Sequence, residues 1–443
     1  MPEHHIPEEH LERPSRALIL SVQPPQVSDD ELYASLVELE RLAGTLGITV
    51  VARETQKRSS TTSAEYMGSG KLKEVAALTG GPGEAEDSEE DPPRESAREQ
   101  RAVDLVLVDD DLSPRQQRNL ELALGVQVMD RTAVILEIFE SRARTKEARL
   151  QVEIARLKYE MPRQRDASGG DDRQGGGGRG ERGHTNVELS KGRIRDRIAQ
   201  LTEELKAIQS SEATRRERRE DTFQVALVGY TNAGKSTLMR ALTGSEVLVE
   251  DKLFATLGTT IRQLQPAVTP QVLISDTVGF IKNLPHQLVA SFRSTLEEAR
   301  EASYLLLVVD AADPEWPDQL RVTEKTLASI EADEIPTRVV LNKVDGLSPQ
   351  ARLALTESMP EALQISALNP ADVNQLHGAI VQARDETLSV ETLLIPYARG
   401  SMIGEIHREA KVLHEEHTPE GTLLKVQARL EHLGRWRGML GGE

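Results

Sequence analysis

Residues 223–242, FQVALVGYTNAGKSTLMRAL, restrict what this chain can fold into more than any other stretch. The apolar run Phe223 to Val228 reads as a buried strand, and Gly229-x-x-x-x-Gly234-Lys235-Ser236 then opens a helix over Thr237 to Leu242. That order of strand, glycine loop and helix is the setting of a phosphate-binding loop. Glycine lets the backbone through Tyr230, Thr231, Asn232 and Ala233 curl until its N–H groups converge on a phosphate, and the helix dipole adds to the attraction. Lys235 can reach the β and γ oxygens, and Ser236 can offer a hydroxyl to Mg²⁺.

The loop alone does not choose between adenine and guanine. Asn342-Lys343-Val344-Asp345 does, because it follows the apolar run TRVVL and places a carboxylate at a strand end. Asp345 can accept from guanine N1–H and N2–H, which adenine cannot offer; Asn342 can hold the loop and approach N7, and the Lys343 stem can cover the ring. Ser366-Ala367-Leu368 fits a further base loop, with the Ala367 N–H turned to guanine O6. Between these lies Asp276-Thr277-Val278-Gly279, after the strand QVLIS. There Asp276 would hold Mg²⁺ through water and the Gly279 N–H would meet a γ-phosphate. The run Phe254-Ala255-Thr256-Leu257-Gly258 occupies the place of a switch segment, and Thr256, with Thr260 as runner-up, is the expected second Mg²⁺ hydroxyl. Lys235, Thr256 and Gly279 are thus the expected catalytic groups. Phe280 follows the glycine where signalling GTPases carry a water-orienting glutamine, and an apolar side chain cannot orient water.

The rest of the chain must be read around this site. At 443 residues it exceeds one usual domain, and residues 17–130 alternate strand-like and helical patterns as a small parallel α/β unit does. An acidic, Pro- and Gly-rich insertion at about 80–101 interrupts that unit and is expected to be disordered. From Ala133 the pattern turns helical to about Tyr159. A second helical stretch over 187–209 carries a seam of Ile194, Ile198, Leu201, Leu205 and Ile208, so a helical hairpin is expected, joined by the Gly- and Arg-rich loop 163–184. The divisions expected are 1–132, 133–219, 220–388 and 389–443. With no cysteine, disulfides and thiolate sites are excluded. The net charge of −18 argues against a general nucleic-acid coat, though not against a local basic arm. No apolar run nears the length of a membrane span and the N-terminus lacks the pattern of a signal peptide, so a cytoplasmic protein is expected.

With these loops in place the chain resembles the HflX family of ribosome-associated GTPases. YMGSGKLKEV, DDLSPRQQRNLE, DRTAVILEIFESRARTKEARLQVEIARLKY, LFATL, DTVGFIKNLPHQLVASFRSTLEEA and IPYARGSMIGEIH carry the resemblance, from about residue 15 to the C-terminus. It departs at Arg179-Gly-Glu-Arg-Gly183, where the family usually has Arg-Gly-Pro-Gly-Glu, and at Leu257-Gly258-Thr259-Thr260, where Leu-Asp-Pro-Thr is common. The resemblance implies a doubly wound P-loop GTPase domain, an N-terminal α/β unit with a helical hairpin, and a small C-terminal α/β domain. It also implies GTP and GDP as ligands, Mg²⁺ as cofactor, and a role on the large ribosomal subunit and its RNA, splitting or rescuing stalled or idle ribosomes. Asn232 resembles the asparagine of potassium-using GTPases, which makes K⁺ a second cofactor candidate. A monomer is expected.

Two other readings stand beside this one. The hairpin basic residues Arg142, Arg144, Lys146, Arg149, Arg156, Lys158, Arg163, Arg165, Arg193, Arg195 and Arg197 suit RNA, but equally a solvated face or a docking arm of a regulatory GTPase with a protein partner. Lys71, in MGSGKLKEV, raises the alternative of a second nucleotide site in the N-terminal unit.

Overall fold

The computed structural model describes residues 15–60, 64, 66–84, 102–164, 180–217, 222–244, 253–254, 260–282 and 298–441. Most of the acidic insertion and most of the Gly- and Arg-rich loop, Arg165 included, lie outside these residues. The fold is mixed α/β, in two compact units, one within 1–207 and 282–291 and the other within 208–281 and 292–443.

The first unit is built on a parallel sheet of order β2-β1-β3-β4, from β1 (Arg16–Gln23), β2 (Thr49–Lys57), β3 (Leu105–Val108) and β4 (Gln127–Asp130). β1 and β3 are apolar almost throughout because a parallel sheet is covered on both faces; edge strand β2 alternates exposed and half-buried residues. Helices α1 (Asp29–Thr45), α2 (Ser69–Thr79) and α3 (Pro114–Leu124) connect the strands. Ser28 and Ser113 begin α1 and α3 with reciprocal capping boxes to Glu31 and Gln116.

The long helical stretch expected from Ala133 is two helices, α4 (Arg131–Arg142) and α5 (Lys146–Glu160). The break has a local cause. Thr145 Oγ1 accepts from the Ala148 N–H as an N-cap, and the Arg149 side chain donates to the Ala143 carbonyl that the break releases. The next helix, α6 (Gly180–Glu217), starts inside the expected loop, since a nucleated helix extends at one backbone bond per residue. It runs antiparallel to α5: Lys146 meets Glu204, Arg197 meets Glu153, and Ser190 meets Gln164. Leu201 is fully buried, and Ile194, Ile198, Leu205 and Ile208 are half-buried on the same stripe.

The second unit holds a six-stranded sheet of order β10-β9-β8-β5-β7-β6. Its strands are β5 (Phe223–Gly229), β6 (Thr260–Gln263), β7 (Val272–Asp276), β8 (Tyr304–Asp310), β9 (Thr337–Asn342) and β10 (Leu363–Gln364). All neighbours are parallel except β6, which runs antiparallel to β7. α7 (Lys235–Thr243), α8 (Trp316–Ser329), α9 (Pro349–Ser358) and α10 (Pro370–Glu386) complete it. Its core runs from Val225 and Leu227 through Leu238, Ile274, Val308 and Val340 to Ile380. Each such side chain removed from water contributes about 1.5–3 kcal/mol. The chain then forms a three-stranded antiparallel sheet, β11 (Ser389–Ile395), β12 (Lys411–Thr418) and β13 (Gly421–Ala428), in the order β11-β13-β12. α11 (Ser401–Glu409) and α12 (Leu430–Gly441) pack on it around Trp436. No helix among the described residues is long and apolar enough to cross a membrane.

Candidate nucleotide site

Parallel strands place their loops together at one edge, and here the loops after β5, β7, β9 and β10 meet there. Gly229 and Gly234 take φ of +151° and +93°, and Asn232, also left-handed at φ +61°, lies between them at the exposed turn. The tight curl brings Ala233 and Lys235 into the core while Ser236 and Thr237 stay half-buried at the start of α7. No side chain caps that helix, so its first N–H groups are left for an anion.

Lys235 Nζ donates to the Gly229 and Tyr230 carbonyls at 2.9 and 2.8 Å. Burial pushes its ammonium down from the ordinary 10.5 to about 8, partly offset by the Asp276 carboxylate. Between about pH 8 and 10.5 the unfolded chain therefore holds the proton that the folded chain has lost, and this burial penalty on the folded state is relieved as pH rises through 8. A bound triphosphate works in the opposite sense because it favours the ammonium. GTP affinity is expected to fall above pH 8, approaching tenfold per pH unit, with uptake of a proton. Calorimetry at pH 9 in two buffers of different ionisation heat measures that uptake directly; equal heats would show that Lys235 is charged in the free protein.

The Asp276 segment is stitched to the phosphate loop. The Phe280 N–H donates to the Gly229 carbonyl (3.1 Å), the Thr231 N–H donates to the Phe280 carbonyl (2.8 Å), and Thr277 Oγ1 donates to the Leu227 carbonyl. The Phe280 ring is buried, as are Thr277 and Val278. A glutamine there would place an amide in an apolar site, which costs free energy unless every polar atom finds a partner. Ser236 Oγ donates to Asp276 Oδ2 at 2.8 Å, so a hydroxyl and a carboxylate stand side by side. They are hard oxygen donors of the kind Mg²⁺ takes, and they fit that ion. Ala255, Thr256, Leu257 and Gly258 lie outside the described residues. Phe254 is buried with φ +55°, and Thr260 opens β6 directly opposite Asp276.

The base loops differ from expectation at Asn342 and at Ala367. Asn342, expected both to hold the loop and to approach the base, is buried with both ends of its amide given to holding loops: Nδ2 donates to the Ala233 carbonyl (2.9 Å) and Oδ1 accepts from the Ala367 N–H (3.0 Å). The Ala367 N–H is thus engaged by Asn342 rather than open to guanine O6. The reason is burial, because an amide enclosed at a strand end needs partners for both of its ends. Lys343 takes φ +62° and its Nζ pairs with Asp310 Oδ2 at 2.7 Å, which sequence reasoning did not include although β8 ends on that aspartate. Asp345 stands exposed in the turn Val344–Gly346. Ser366 is buried, its N–H donating to Asp372, and Leu368 is exposed.

In the first unit, Lys71 is held by Glu54 and Glu74, and the Gly68 N–H donates to Gln56. The groups that suggested a second phosphate loop are thus engaged by the unit's own side chains. Among the hairpin cations, Arg156 is ringed by Glu137, Glu140 and Glu160, and Arg197 is paired with Glu153. Arg144, Lys158, Arg193 and Arg195 are exposed.

Comparison with known proteins adds to this geometry. Family models described as GTP-binding GTPase N-terminal, GTP-binding GTPase Middle Region and 50S ribosome-binding GTPase match residues 33–140, 142–219 and 224–343. A protein of Gluconacetobacter diazotrophicus named GTPase HflX is 52% identical over 93% of this chain and 95% of its own. One of the same name from Caldanaerobacter subterraneus subsp. tengcongensis is 38% identical over 96% and 94%. A solved GTP-binding protein of Sulfolobus solfataricus in complex with GDP is 23% identical with a TM-score of 0.42, covering 84% of this chain and 99% of that one.

Proposed function

The chain belongs to the HflX family of GTPases, it binds GTP and GDP and hydrolyses GTP, and from that premise we propose that it acts on the large ribosomal subunit to split or rescue stalled or idle ribosomes. On this reading it is a cytoplasmic monomer with divisions at 1–132, 133–219, 220–388 and 389–443, and the loop within 163–184 is directed at the catalytic centre in ribosomal RNA. The single observation that carries the proposal is the pinned root of that loop. Arg163 at the end of the α5 segment donates to the Leu112 and Tyr159 carbonyls (2.7 and 2.9 Å), pairs with buried Asp130 (3.0 Å) and stacks on the Tyr159 ring. The chain just after α5 is therefore fixed to the α/β unit at Arg163.

In the site, Lys235 and the Gly279 N–H are assigned to the γ-phosphate. Asp345 reads guanine, Lys343 covers its ring, and Asn342 ties phosphate loop to base loops. Ser236, Asp276 and Thr256, or Thr260 in its place, are assigned to Mg²⁺, which when bound neutralises charge on the β and γ oxygens. The exposed Asn232 supports a K⁺ beside the phosphates. Because Phe280 is locked into the core, hydrolysis by the free protein is slow and waits for the partner to fix the switch segments. The test is single-turnover hydrolysis with and without large subunits, in potassium and in sodium, for the parent and a deletion of residues 168–183. Subunits should accelerate the parent, and the deletion should keep GTP affinity while losing most of that acceleration. Rates unaffected by subunits would overturn the ribosomal reading in favour of a protein-partner switch; an unaffected deletion would reduce the loop to a linker, and equal rates in the two salts would remove K⁺ alone.

A further inference from the structure

Hydrolysis needs a water held in line with the bond that breaks, and Phe280 cannot hold one. We propose that the Thr231 hydroxyl does so. Thr231 is 6% exposed, and its Oγ1 has no hydrogen-bond partner among the described residues. Burying a hydroxyl unpaired is unfavourable unless a bound group completes it. The rest of the residue is fixed in place: its N–H is spent on the Phe280 carbonyl, and Gly279 packs directly against it. A Cβ built on Gly279 would lie 2.9 Å from both Thr231 Cα and Cγ2 and 3.0 Å from Lys235 Nζ. Oγ1 shares its Cβ with that methyl. The Thr231 side chain and Lys235 Nζ thus both flank Gly279, so the residue that carries the unpaired hydroxyl borders the two groups assigned to the γ-phosphate, where an attacking water must also be.

A threonine hydroxyl can accept a hydrogen bond from the attacking water and so hold its oxygen toward the phosphorus, which the side chains of Phe280 and Ala233 cannot do. In the step, the water oxygen forms its bond to the γ-phosphorus as the bond to the bridging oxygen breaks, and that electron pair leaves with GDP. A proton of the water passes to a γ-phosphate oxygen, yielding inorganic phosphate. Thr231 ends the step unchanged, a water-positioning residue and not a base.

The test compares the full-length parent with Thr231→Val, Thr231→Ser and Thr231→Ala. Single-turnover GTP hydrolysis with Mg²⁺ in potassium is read together with GTP and GDP affinities by calorimetry. Thr231→Val and Thr231→Ala should bind both nucleotides within about twofold of the parent yet hydrolyse at least about tenfold more slowly, while Thr231→Ser keeps most of the rate. A parental rate in either hydroxyl-free variant overturns the proposal. So does a loss of rate matched by loss of affinity in both of them, which would make Thr231 a packing residue. The reaction measured is the protein's own, so the outcome does not depend on the ribosomal reading.

Discussion

Gly234→Ala should abolish measurable GTP and GDP binding while the rest of the protein stays folded. Gly234 holds φ +93°, and a Cβ built there would fall 2.2 Å from Asn342 Nδ2. That nitrogen cannot simply swing aside, because it donates to the Ala233 carbonyl while the other end of the same amide accepts from the Ala367 N–H. Moving it breaks both bonds and separates the phosphate loop from both base loops. The left-handed backbone costs an L side chain about 1–2 kcal/mol, and each buried polar group stranded adds about 1–3 kcal/mol. A total of several kcal/mol corresponds to a loss of affinity of at least about a hundredfold. Titration with a fluorescent GDP analogue, beside circular dichroism on the same sample, checks it. Parental affinity would show that the amide bridge does not control the site. Gly229 gives the contrast: its built Cβ meets the Val308 carbonyl at 2.1 Å, inside the β5–β8 ladder, so alanine there should first disturb the fold.

The fold class was legible because the phosphate loop carries its own geometry. Apolar residues before Gly229 make a strand, an uncapped glycine turn starts α7, and the alternation of patterns elsewhere gives parallel sheet with covering helices. The seam from Ile194 to Ile208 was legible for the same reason, since a helical stripe is a local property. What could not be read depends on residues far apart in sequence. Nothing local says that Asn342 bridges Ala233 and Ala367, or that Lys343 finds Asp310, since each needs strand ends brought together by the sheet. The hairpin cations show the same limit: Arg163 looks like its neighbours until the fold sets Asp130 and Tyr159 against it. The division of α4 from α5 was missed for a smaller reason, because Thr145 followed by good helix formers fits a helix interior as well as an N-cap.

Asp345→Asn should exchange the base preferred by the site and leave the fold intact. The turn that carries Asp345 is fixed by other residues: Val344 is buried with its N–H on the Ile365 carbonyl, and Lys343 is tied to Asp310. The Asp345 carboxylate itself is exposed and takes no hydrogen bond from the described residues, so its removal strands nothing in the free protein. Against guanine the change matters, since asparagine presents an NH₂ where one of two donors on the base needs an acceptor. Losing a charge-assisted pair and setting donor against donor costs about 2–4 kcal/mol, roughly thirtyfold to a thousandfold in GTP affinity. Xanthine carries a carbonyl in place of the guanine 2-amino group, and the asparagine NH₂ can donate to it, so affinity for xanthosine triphosphate should rise. Calorimetry of both nucleotides on both proteins separates the possibilities. Unchanged GTP affinity removes Asp345 from the base site. Loss of both nucleotides together assigns it to holding the turn, and only a reciprocal exchange supports the carboxylate as the group that reads guanine.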